Sequence, residues 1–389
     1  MLTELTGRLR RVTNGRPWVP EIDGLRFLAI AGVVLFHILG EVSTRSGRII
    51  PVEDRYQLLT SLVGNGDRGV RLFFVISGLV LALPFARHSL AGGKPIRLRN
   101  YFMRRLTRLE PPYIVSVLMF LAMLAVYAHN TQPHLVQHAL ATMFYVHSLI
   151  YADFNPINMV SWSLEVEVQF YIVAPLFMLL FRIREKRLRR FVMLALIALS
   201  IPLGVLATHS PRASFSILRY VGYFVSGLLA ADFFVLDLPL WLESSAWDLV
   251  ALACMGFACS VPHDWEPANA ILPLVFGALC LAAMRGRVFR RIVSIPTLAV
   301  IGGMCYSIYL MHMTAIAIVF KLSRSIISTR QDFLTTYLIQ SLIFVPCVLL
   351  AGTAFYLLFE RPCMDPQWPL KLKHRFFPRE RKIAVVTRS

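Results

Sequence analysis

The sequence predicts an all-α polytopic membrane protein, and three observations support that fold class. Of its 389 residues, 57% are hydrophobic and only 16% are charged, against roughly 25% charged residues in an average soluble domain. Apolar stretches of about 20 residues, the length that crosses a bilayer as a helix, recur along the chain. The basic residues collect in short runs between these stretches, as they do in the cytoplasmic loops of membrane proteins.

Apolar stretches of this kind predict about ten transmembrane helices. They lie near residues 24–42, 69–86, 109–128, 160–181, 191–208, 217–235, 247–262, 269–284, 297–320 and 336–359. A further stretch, 134–150, is moderately apolar but contains three histidines and a glutamine. Whether this stretch crosses the membrane decides the topology of everything that follows it.

The positive charges answer that question. Lysine and arginine number 40 against 22 aspartates and glutamates, and 30 of the 40 fall in five segments. These segments are the N-terminal stretch through Arg26, residues 87–108, 182–190 and 285–291, and the tail after Glu360. All five segments lie on one side of the membrane only if residues 134–150 do not cross it. We therefore expect both termini in the cytoplasm and 134–150 to be re-entrant or at the outer surface. Only the predicted inner loop at 237–248, which has no positive charge, departs from this pattern.

The same features exclude other classes of protein. An apolar, aperiodic chain with six cysteines is neither disordered, nor collagen-like, nor a disulfide scaffold. No CxxC pair suggests zinc, and basic residues confined to loops do not indicate a nucleic-acid partner. We expect one transmembrane domain over residues 1–362 and a basic cytoplasmic tail over 363–389, in the inner (cytoplasmic) membrane of the cell.

Three ionisable residues are predicted to lie at membrane depth, where such groups are costly and are functional candidates by default. They are His37 in the first span, Glu167 in the fourth and His312 in the ninth. Counting residues at 1.5 Å each places all three in the outer half of the bilayer. Their convergence depends on how the helices pack. Taken alone, a histidine on an apolar helix is more often a packed core residue than a catalyst.

Arginines near the inner face suggest a site for an anion. Arg26 precedes His37 by 11 residues, about three helical turns, so both point from one face. Arg104, Arg105 and Arg108 come within about a turn of each other. Guanidinium groups bind phosphates through charge-assisted hydrogen bonds, although the same residues would also serve as membrane-topology anchors. Pro111 and Pro112, which follow them, are typical of a helix entry.

Four histidines in or near the 134–150 stretch raise the question of a metal. Their spacing is loose and they lie in an outer segment, so we expect surface histidines and no metal. The four are His129, His134, His138 and His147.

Six elements, in order along the chain, resemble those of one known family, the membrane acyltransferases of the acyltransferase-3 (OafA/YrhL-like) group. They are PEIDGLRFLAIAGVVLFH from Pro20 to His37, LFFVISG from Leu72, RRLTRLEPPY from Arg104, WSLEVEVQFY from Trp162, CYSIYLMH from Cys305 and ERP from Glu360. The resemblance covers residues 18–362 and implies a ten-span, all-helical enzyme.

The resemblance also implies an activity. Members of the family transfer an acyl group, often acetyl, from cytoplasmic acyl-CoA to a hydroxyl, commonly on a carbohydrate. The acceptor is a carbohydrate or a lipid-linked glycan. His37 is then the general base, with Glu167 and His312 as further catalytic residues. The remaining expected site residues comprise a CoA-binding set, Arg26, Arg104, Arg105 and Arg108, and a substrate-binding set, Ser77, Trp162 and Tyr309. For Ser77, a hydrogen bond to its own helix backbone is the commoner alternative.

Some positions depart from the family pattern. Arg71 stands where the second-span motif usually has Asp, Val168 replaces a second acid after Glu167, Glu165 occupies a usually small position and Leu79 replaces Phe. Buried His, Glu and Arg would also suit a proton-coupled transporter or a lipid-linked glycan flippase without chemistry. Such carriers often contain repeats with broken helices, which this sequence does not clearly have.

Overall fold

The structure is a computed structural model. It describes residues 7, 9–12, 18–45, 57–127, 134–263, 265–323, 333–365 and 368. Of the predicted tail at 363–389, only residues 363–365 and 368 are among these, and His129 lies outside them.

Helices make up the described part of the chain, where no strand is found. The α-helices are α1 Pro20–Arg45, α2 Gln57–Gly64, α3 Arg68–Ala91, α4 Leu98–Tyr127, α5 Leu135–Met143, α6 His147–Tyr151, α7 Trp162–Phe177, α8 Lys186–Thr208, α9 Pro211–Ser214, α10 Ile217–Leu236, α11 Ser245–Ser260, α12 Glu266–Arg285, α13 Val288–Val293, α14 Pro296–Gly303, α15 Cys305–Ser323, α16 Phe333–Phe355 and α17 Arg361–Cys363. Short 3₁₀ turns occur at Met159–Ser161, Met178–Arg182 and Leu238–Leu240, and a π-helical turn at Tyr356–Glu360.

Within the described ranges, nine helical segments are long and apolar enough to cross a membrane, and they confirm nine of the ten predicted spans. The tenth, predicted near 247–262, corresponds to α11, an apolar helix of 16 residues. That is shorter than the roughly 20 residues of a full crossing. The chain is therefore a multi-pass membrane protein.

Two predicted spans have different ends in the structure. The prolines Pro111 and Pro112 were expected at a helix entry, but α4 begins at Leu98 and contains both. Transmembrane helices tolerate proline because neighbouring groups satisfy the freed backbone. The predicted span at 297–320 is divided at Met304 between α14 and α15. The first difference matters for function, since it places the arginines of 104–108 on a continuous helix.

The 134–150 stretch forms two short helices, α5 of nine residues and α6 of five. Neither is long enough to cross a bilayer. Asn155 stabilises the turn after them by donating hydrogen bonds to the hydroxyls of Thr142 (2.6 Å) and Ser161 (2.9 Å).

One end of the helix bundle is rich in arginine, and we call it the basic end. Arg189 and Arg190 both pair with Asp232 of α10. Arg290 Nε lies 2.9 Å from Glu21 at the start of α1. The first two pairs join the beginning of α8 to the end of α10, and the third joins α13 to the beginning of α1. The basic runs on these helices therefore lie at one end of the bundle. We call the other end of the bundle the far end.

The acidic 237–248 loop also belongs to the basic end. Asp237 accepts hydrogen bonds from Lys186 and Arg190, and Asp248 accepts from the backbone N–H groups of Val288 (3.0 Å) and Phe289 (2.9 Å). Neighbouring basic segments thus supply the positive charge that this loop lacks.

Glycines allow the helices around α1 to pack backbone against backbone, as small residues do in membrane bundles. A β-carbon on Gly302 of α14 would lie 1.7 Å from the carbonyl oxygen of Asp23. A β-carbon on Gly24 of α1 would lie 1.9 Å from the carbonyl oxygen of Val293. The positions of α13 and α14 against α1 therefore depend on these two glycines.

The substitution Gly302→Val tests this packing. Because the clash is with backbone rather than with a mobile side chain, we expect a loss of about 1–3 kcal/mol of stability. Thermal unfolding of the purified protein in detergent would show a lower Tm. Gly256→Val in α11 is the control, since a β-carbon there has no atom within 4 Å. Equal Tm values for the two variants would contradict the packing.

Candidate functional site

Two of the predicted catalytic residues meet in the bundle. The ring centroids of His37 in α1 and His312 in α15 are 5.1 Å apart. The two helices run in the same direction, so each brings its histidine to a similar level. His312 is fully buried, whereas His37 is partly exposed. The depth of each histidine could be predicted from the sequence, but this contact between two distant helices could not.

Hydrogen bonding fixes the tautomer of His312. Its Nδ1 lies 2.7 Å from the carbonyl oxygen of Tyr309, which can only accept, so Nδ1 carries the proton. The other nitrogen, Nε2, is buried and has no hydrogen-bond partner. In a neutral imidazole that nitrogen is an acceptor. The histidine pair therefore includes a buried, unused acceptor.

Tyr309 connects the pair to α7. Its hydroxyl donates to the carbonyl oxygen of Val160 at 3.1 Å and lies 2.7 Å from the Ser163 hydroxyl. Its ring contacts the His312 ring, with centroids 5.5 Å apart. The predicted substrate-binding residue Tyr309 thus lies in direct contact with the candidate site.

Glu167 forms a separate cluster. Ser77 Oγ and the Tyr171 hydroxyl each donate to Glu167 Oε1 at 2.5 Å. Ser77 therefore bonds to a carboxylate of another helix, and the alternative of a bond to its own backbone is wrong. Among the described residues, the hydrogen bonds of Glu167 are to these hydroxyls rather than to either histidine. Glu167, expected as a further catalytic residue, therefore has no hydrogen bond to an imidazole in this structure.

Arg105 adjoins this cluster. Its guanidinium lies 5.7 Å from the ring centroid of Tyr171 and 5.9 Å from that of Tyr101, within the range of cation–π attraction. The Tyr101 hydroxyl donates to the carbonyl oxygen of Tyr171 at 3.2 Å. Glu167 is close enough to interact electrostatically with Arg105 and Arg26.

Arg108 meets an acid that the sequence argument did not single out. Arg108 Nη2 lies 3.5 Å from Glu360 Oε1, and the Ser307 hydroxyl donates to Glu360 Oε2 at 2.6 Å. Glu360 is fully buried at the end of the last long helix. A carboxylate in an apolar span is a signal that could have identified it, as it identified Glu167.

Arg26 also has a partner. Arg26 Nη1 lies 2.6 Å from Asp23 Oδ1, and the Trp18 indole donates to Asp23 Oδ2 at 2.9 Å. Arg11 Nη1 lies 3.5 Å from the same carboxylate. The three-residue spacing of Asp23 and Arg26 on a helix predicts such a pair, while Arg11 carries no comparable signal.

Positive charge is concentrated around these pairs. Burial, together with repulsion by Arg108 and Arg26, lowers the pKa of Arg11 to about 9. The Nε atoms of Arg105 and Arg108 are buried without hydrogen-bond partners. Unpaired buried guanidinium donors are costly, and an anion would satisfy them. The arrangement is suited to an anionic group at this level.

Two predicted site residues lie elsewhere. Arg104 is exposed on α4, because it points away from the side of the helix that carries Arg105. Trp162 packs against the rings of Tyr220 and Phe215, with centroids 5.5 and 6.0 Å away. The structure brings neither residue to the histidine pair.

Arg71, which replaces the usual Asp, lies near an acid four residues earlier. Arg71 Nη2 is 4.0 Å from Asp67 Oδ2, and Asp67 Oδ1 is 3.0 Å from His263 Nε2. Asp67 is close enough to interact electrostatically with His37. A carboxylate is thus present on the neighbouring turn of the chain, although the motif position itself is cationic.

The short helices at 134–150 cover Glu165. Glu165 Oε2 accepts the backbone N–H of Ser148 at 2.9 Å and is fully buried. Beside it, His147 is fully buried, so the prediction of surface histidines is wrong for this residue. Its Nε2 lies 2.8 Å from His138 Nδ1, and one of the two nitrogens donates to the other. In the described part of the chain, no three His, Cys, Asp or Glu residues are close enough to hold a metal ion.

Comparison with known proteins identifies the family. The profile of the acyltransferase-3 family, described as an acyltransferase domain, matches residues 19–361. The chain belongs to this family. The resemblance seen in the sequence motifs is thereby confirmed, and the family supports the prediction of an O-acyltransferase.

Two relatives carry more specific names. The O-acetyltransferase OatA of Staphylococcus aureus (strain NCTC 8325) is 24% identical over 342 residues, which cover 80% of this chain and 53% of the relative. The peptidoglycan O-acetyltransferase OatA of Listeria monocytogenes is 28% identical over 189 residues, or 44% of this chain and 26% of the relative. The chain thus spans about half, or less, of the length of these relatives. No solved structure matches it.

The His138–His147 pair gives a testable pH dependence. Burial, followed by repulsion from His138, lowers the pKa of His147 to about 4, against an opposing effect of Asp153. In the unfolded chain a histidine takes up a proton near pH 6.5. The contribution of the neutral His147 to the free energy of unfolding is therefore fully present above about pH 6.5. It is lost as the pH falls from about 6.5 towards 4.

We expect the Tm in detergent to fall between pH 7.5 and pH 5, and His147→Phe to reduce that fall. His209→Gln is the control, since His209 is exposed. The assignment fails if His147→Phe and His209→Gln show the same pH dependence as the unmodified protein.

Proposed function

We propose that this protein is a membrane O-acyltransferase that moves an acetyl group from acetyl-CoA to a carbohydrate hydroxyl. The observation that carries the proposal is the histidine pair, His37 and His312, at the end of a path lined by arginines. Family membership supports acyl transfer, and the names of the relatives support acetyl as the group and a cell-envelope glycan as the acceptor.

The donor would enter at the basic end, which then faces the cytoplasm, where CoA thioesters are made. Arg105 and Arg108 each have a buried, unpartnered Nε, and Arg26 lies beside Glu167. These groups would bind the diphosphate of the donor by charge-assisted hydrogen bonds. Arg104, which is exposed, would contribute only long-range attraction.

His37 would act as the general base. It is partly exposed, and a histidine is neutral and basic near pH 7. The imidazole takes the proton of the acceptor hydroxyl while that oxygen attacks the thioester carbonyl carbon. The carbon–sulfur bond then breaks, and the imidazolium returns the proton to the thiolate. The products are the O-acyl ester and free CoA.

His312 would position His37. With its proton held on Nδ1 by the Tyr309 carbonyl, its Nε2 can accept a hydrogen bond from one nitrogen of His37. That bond would leave the lone pair of the other His37 nitrogen directed at the acceptor. The rings of His138 and His147, with centroids 5.0 Å apart, form a hydrogen bond of this kind. The centroids of the His37 and His312 rings are 5.1 Å apart. A small movement on substrate binding would therefore allow the same kind of hydrogen bond between them.

Glu167 would serve the donor rather than the imidazole. Two hydroxyls hold its carboxylate, and it offsets part of the charge of Arg26 and Arg105. It would keep these guanidinium groups in place before the donor arrives. Ser77 and Tyr309 would line the passage, while Trp162 would shape its wall through Tyr220.

The substitution His37→Ala tests the base. General-base catalysis contributes about 10²–10⁴-fold, so we expect transfer from radiolabelled acetyl-CoA to fall by at least about 100-fold. The Tm should stay unchanged, and His209→Ala, at an exposed histidine, should retain activity. Wild-type rates for His37→Ala would remove His37 from the mechanism. Wild-type protein that moves a glycan without releasing CoA would instead favour a flippase.

The substitution Arg105→Ala tests the donor site. We expect a KM for acetyl-CoA raised by at least about tenfold, since one charge-assisted contact is worth about 1.5–3 kcal/mol. The kcat should change less. Arg99→Ala is the control, because Arg99 is an exposed arginine of the same helix. An unchanged KM would leave Arg105 with a structural role only.

A further inference from the structure

A second basic site lies at the same end of the bundle, beside the residues already described. It is a cavity of about 920 Å³ between the end of α3, the start of α4 and the 3₁₀ turn that follows α7. We call it the lateral pocket. Phe85 and Met178 line its apolar side, and Arg182, Arg184 and Arg189 its basic side.

The cations around the lateral pocket outnumber the carboxylates that pair with them. Lys186, Arg189 and Arg190 share only two carboxylates, those of Asp232 and Asp237. Arg182 and Arg184 add two exposed cations, for which the described residues provide no ion-pair partner.

Arg189 gives independent evidence for a ligand. It is 1% exposed, and its Nε and Nη1 bond to Asp232 and to the Ile183 carbonyl oxygen. Its Nη2 is buried without a partner, although the residue lines the pocket. A buried guanidinium N–H that nothing accepts is costly, and a phosphate oxygen in the pocket would satisfy it.

The Glu167 cluster lies on the same helix faces as the pocket. On α3, Ser77 and His88 are 11 residues apart, and on α7 and its 3₁₀ extension so are Glu167 and Met178. Eleven residues are about three turns, or roughly 17 Å, so both members of each pair point to the same side. His88 and Met178 line the pocket, while Ser77 donates to Glu167. The Glu167 cluster therefore lies on the same sides of the two helices as the pocket, about three turns away.

One side of α4 runs along the same route. Leu98 lines the pocket, and Tyr101, Arg105 and Arg108 follow at helical spacings of three, four and three residues, which place them on one face. The Tyr101 ring packs against Phe85 of the pocket, with centroids 5.9 Å apart. Arg105 and Arg108, which are proposed to bind the donor, thus lie on the same face of α4 as Leu98 of the pocket.

We infer that the lateral pocket binds the adenosine 3′-phosphate end of the thioester donor, with the diphosphate at Arg105 and the thin arm of the donor running towards Glu167. The inference rests on the proposed function. The cavity volume lies in the range of small-molecule sites, about 300–1,000 Å³. This end of the donor offers both an aromatic base for Phe85 and a phosphate for Arg182, Arg184 and Arg189.

An anionic phospholipid headgroup shares this chemistry, since basic pockets between helices at the membrane surface also bind lipid phosphates. The position of the pocket favours the donor, because Ser77, Glu167 and Arg105 lie further along the same helix faces inside the bundle. A phospholipid would need its two acyl chains to lie in the bilayer instead.

The test measures binding of CoA and of adenosine 3′,5′-bisphosphate to the full-length protein in nanodiscs. The variant Arg182→Ala/Arg184→Ala removes two pocket cations. The control Arg187→Ala/Arg291→Ala removes two exposed cations that do not line the pocket. We expect the first variant to weaken both ligands by about tenfold or more and the control to bind as wild type.

Nanodiscs of pure phosphatidylcholine and of phosphatidylcholine with phosphatidylglycerol separate the two ligand sources. The expected loss of nucleotide affinity appears in both. If the first variant binds both nucleotides as wild type, or loses affinity only where phosphatidylglycerol is present, the assignment to the donor is wrong.

Acetyl transfer by the same variants keeps this inference apart from the proposed function. We expect Arg182→Ala/Arg184→Ala to raise the KM for acetyl-CoA at nearly constant kcat. If the wild-type protein transfers acetyl groups and this variant has an unchanged KM for acetyl-CoA, only the assignment of the lateral pocket is wrong. A wild-type protein that binds CoA but transfers nothing would overturn the proposed function while leaving the nucleotide site in place.

Discussion

The close contact between Gly302 and the backbone at Asp23 sets the arrangement on which the candidate site depends. It fixes the register of α14 against α1, and α15 then runs beside α1 in the same direction. Because α1 is a single rigid helix, this register places His37 next to His312 at 5.1 Å. The same contact holds Asp23, the acceptor for Arg26, at the basic end. One packing constraint thus aligns the buried arginines with the histidine pair.

Carboxylates inside the bundle have hydrogen-bond partners. Glu167 and Asp23 each accept from two donors, and Glu360 accepts from the Ser307 hydroxyl, since no bulk water is available there. Buried polar atoms without a partner occur in several parts of the described chain. Those of Arg105 and Arg108, that of Arg189 in the lateral pocket and His312 Nε2 are among them. A bound donor and acceptor would complete the hydrogen bonding of these four residues.

Much of this could be predicted from the sequence. Nine of ten spans follow from hydropathy, since a helix that crosses lipid needs a long apolar run. His37, Glu167 and His312 are visible because charge in such a run is rare. Contacts between distant helices are not visible in this way. Nothing in the local sequence separates Arg105, held by two tyrosines, from the adjacent exposed Arg104, or pairs Arg108 with Glu360. The helix extension to Leu98 was missed because the prolines at 111 and 112 resemble a helix start.

The central claim is that the donor lies along one path from the arginines to the histidine pair. A cryo-EM structure of the full-length protein with a non-hydrolysable acetyl-CoA analogue tests it most directly. We predict density for the phosphates at Arg105 and for the acyl carbonyl within about 4 Å of the His37 ring, the distance of a near-attack geometry. Density that ends at the bundle surface, or an acyl group separated from His37 by packed side chains, would contradict the account.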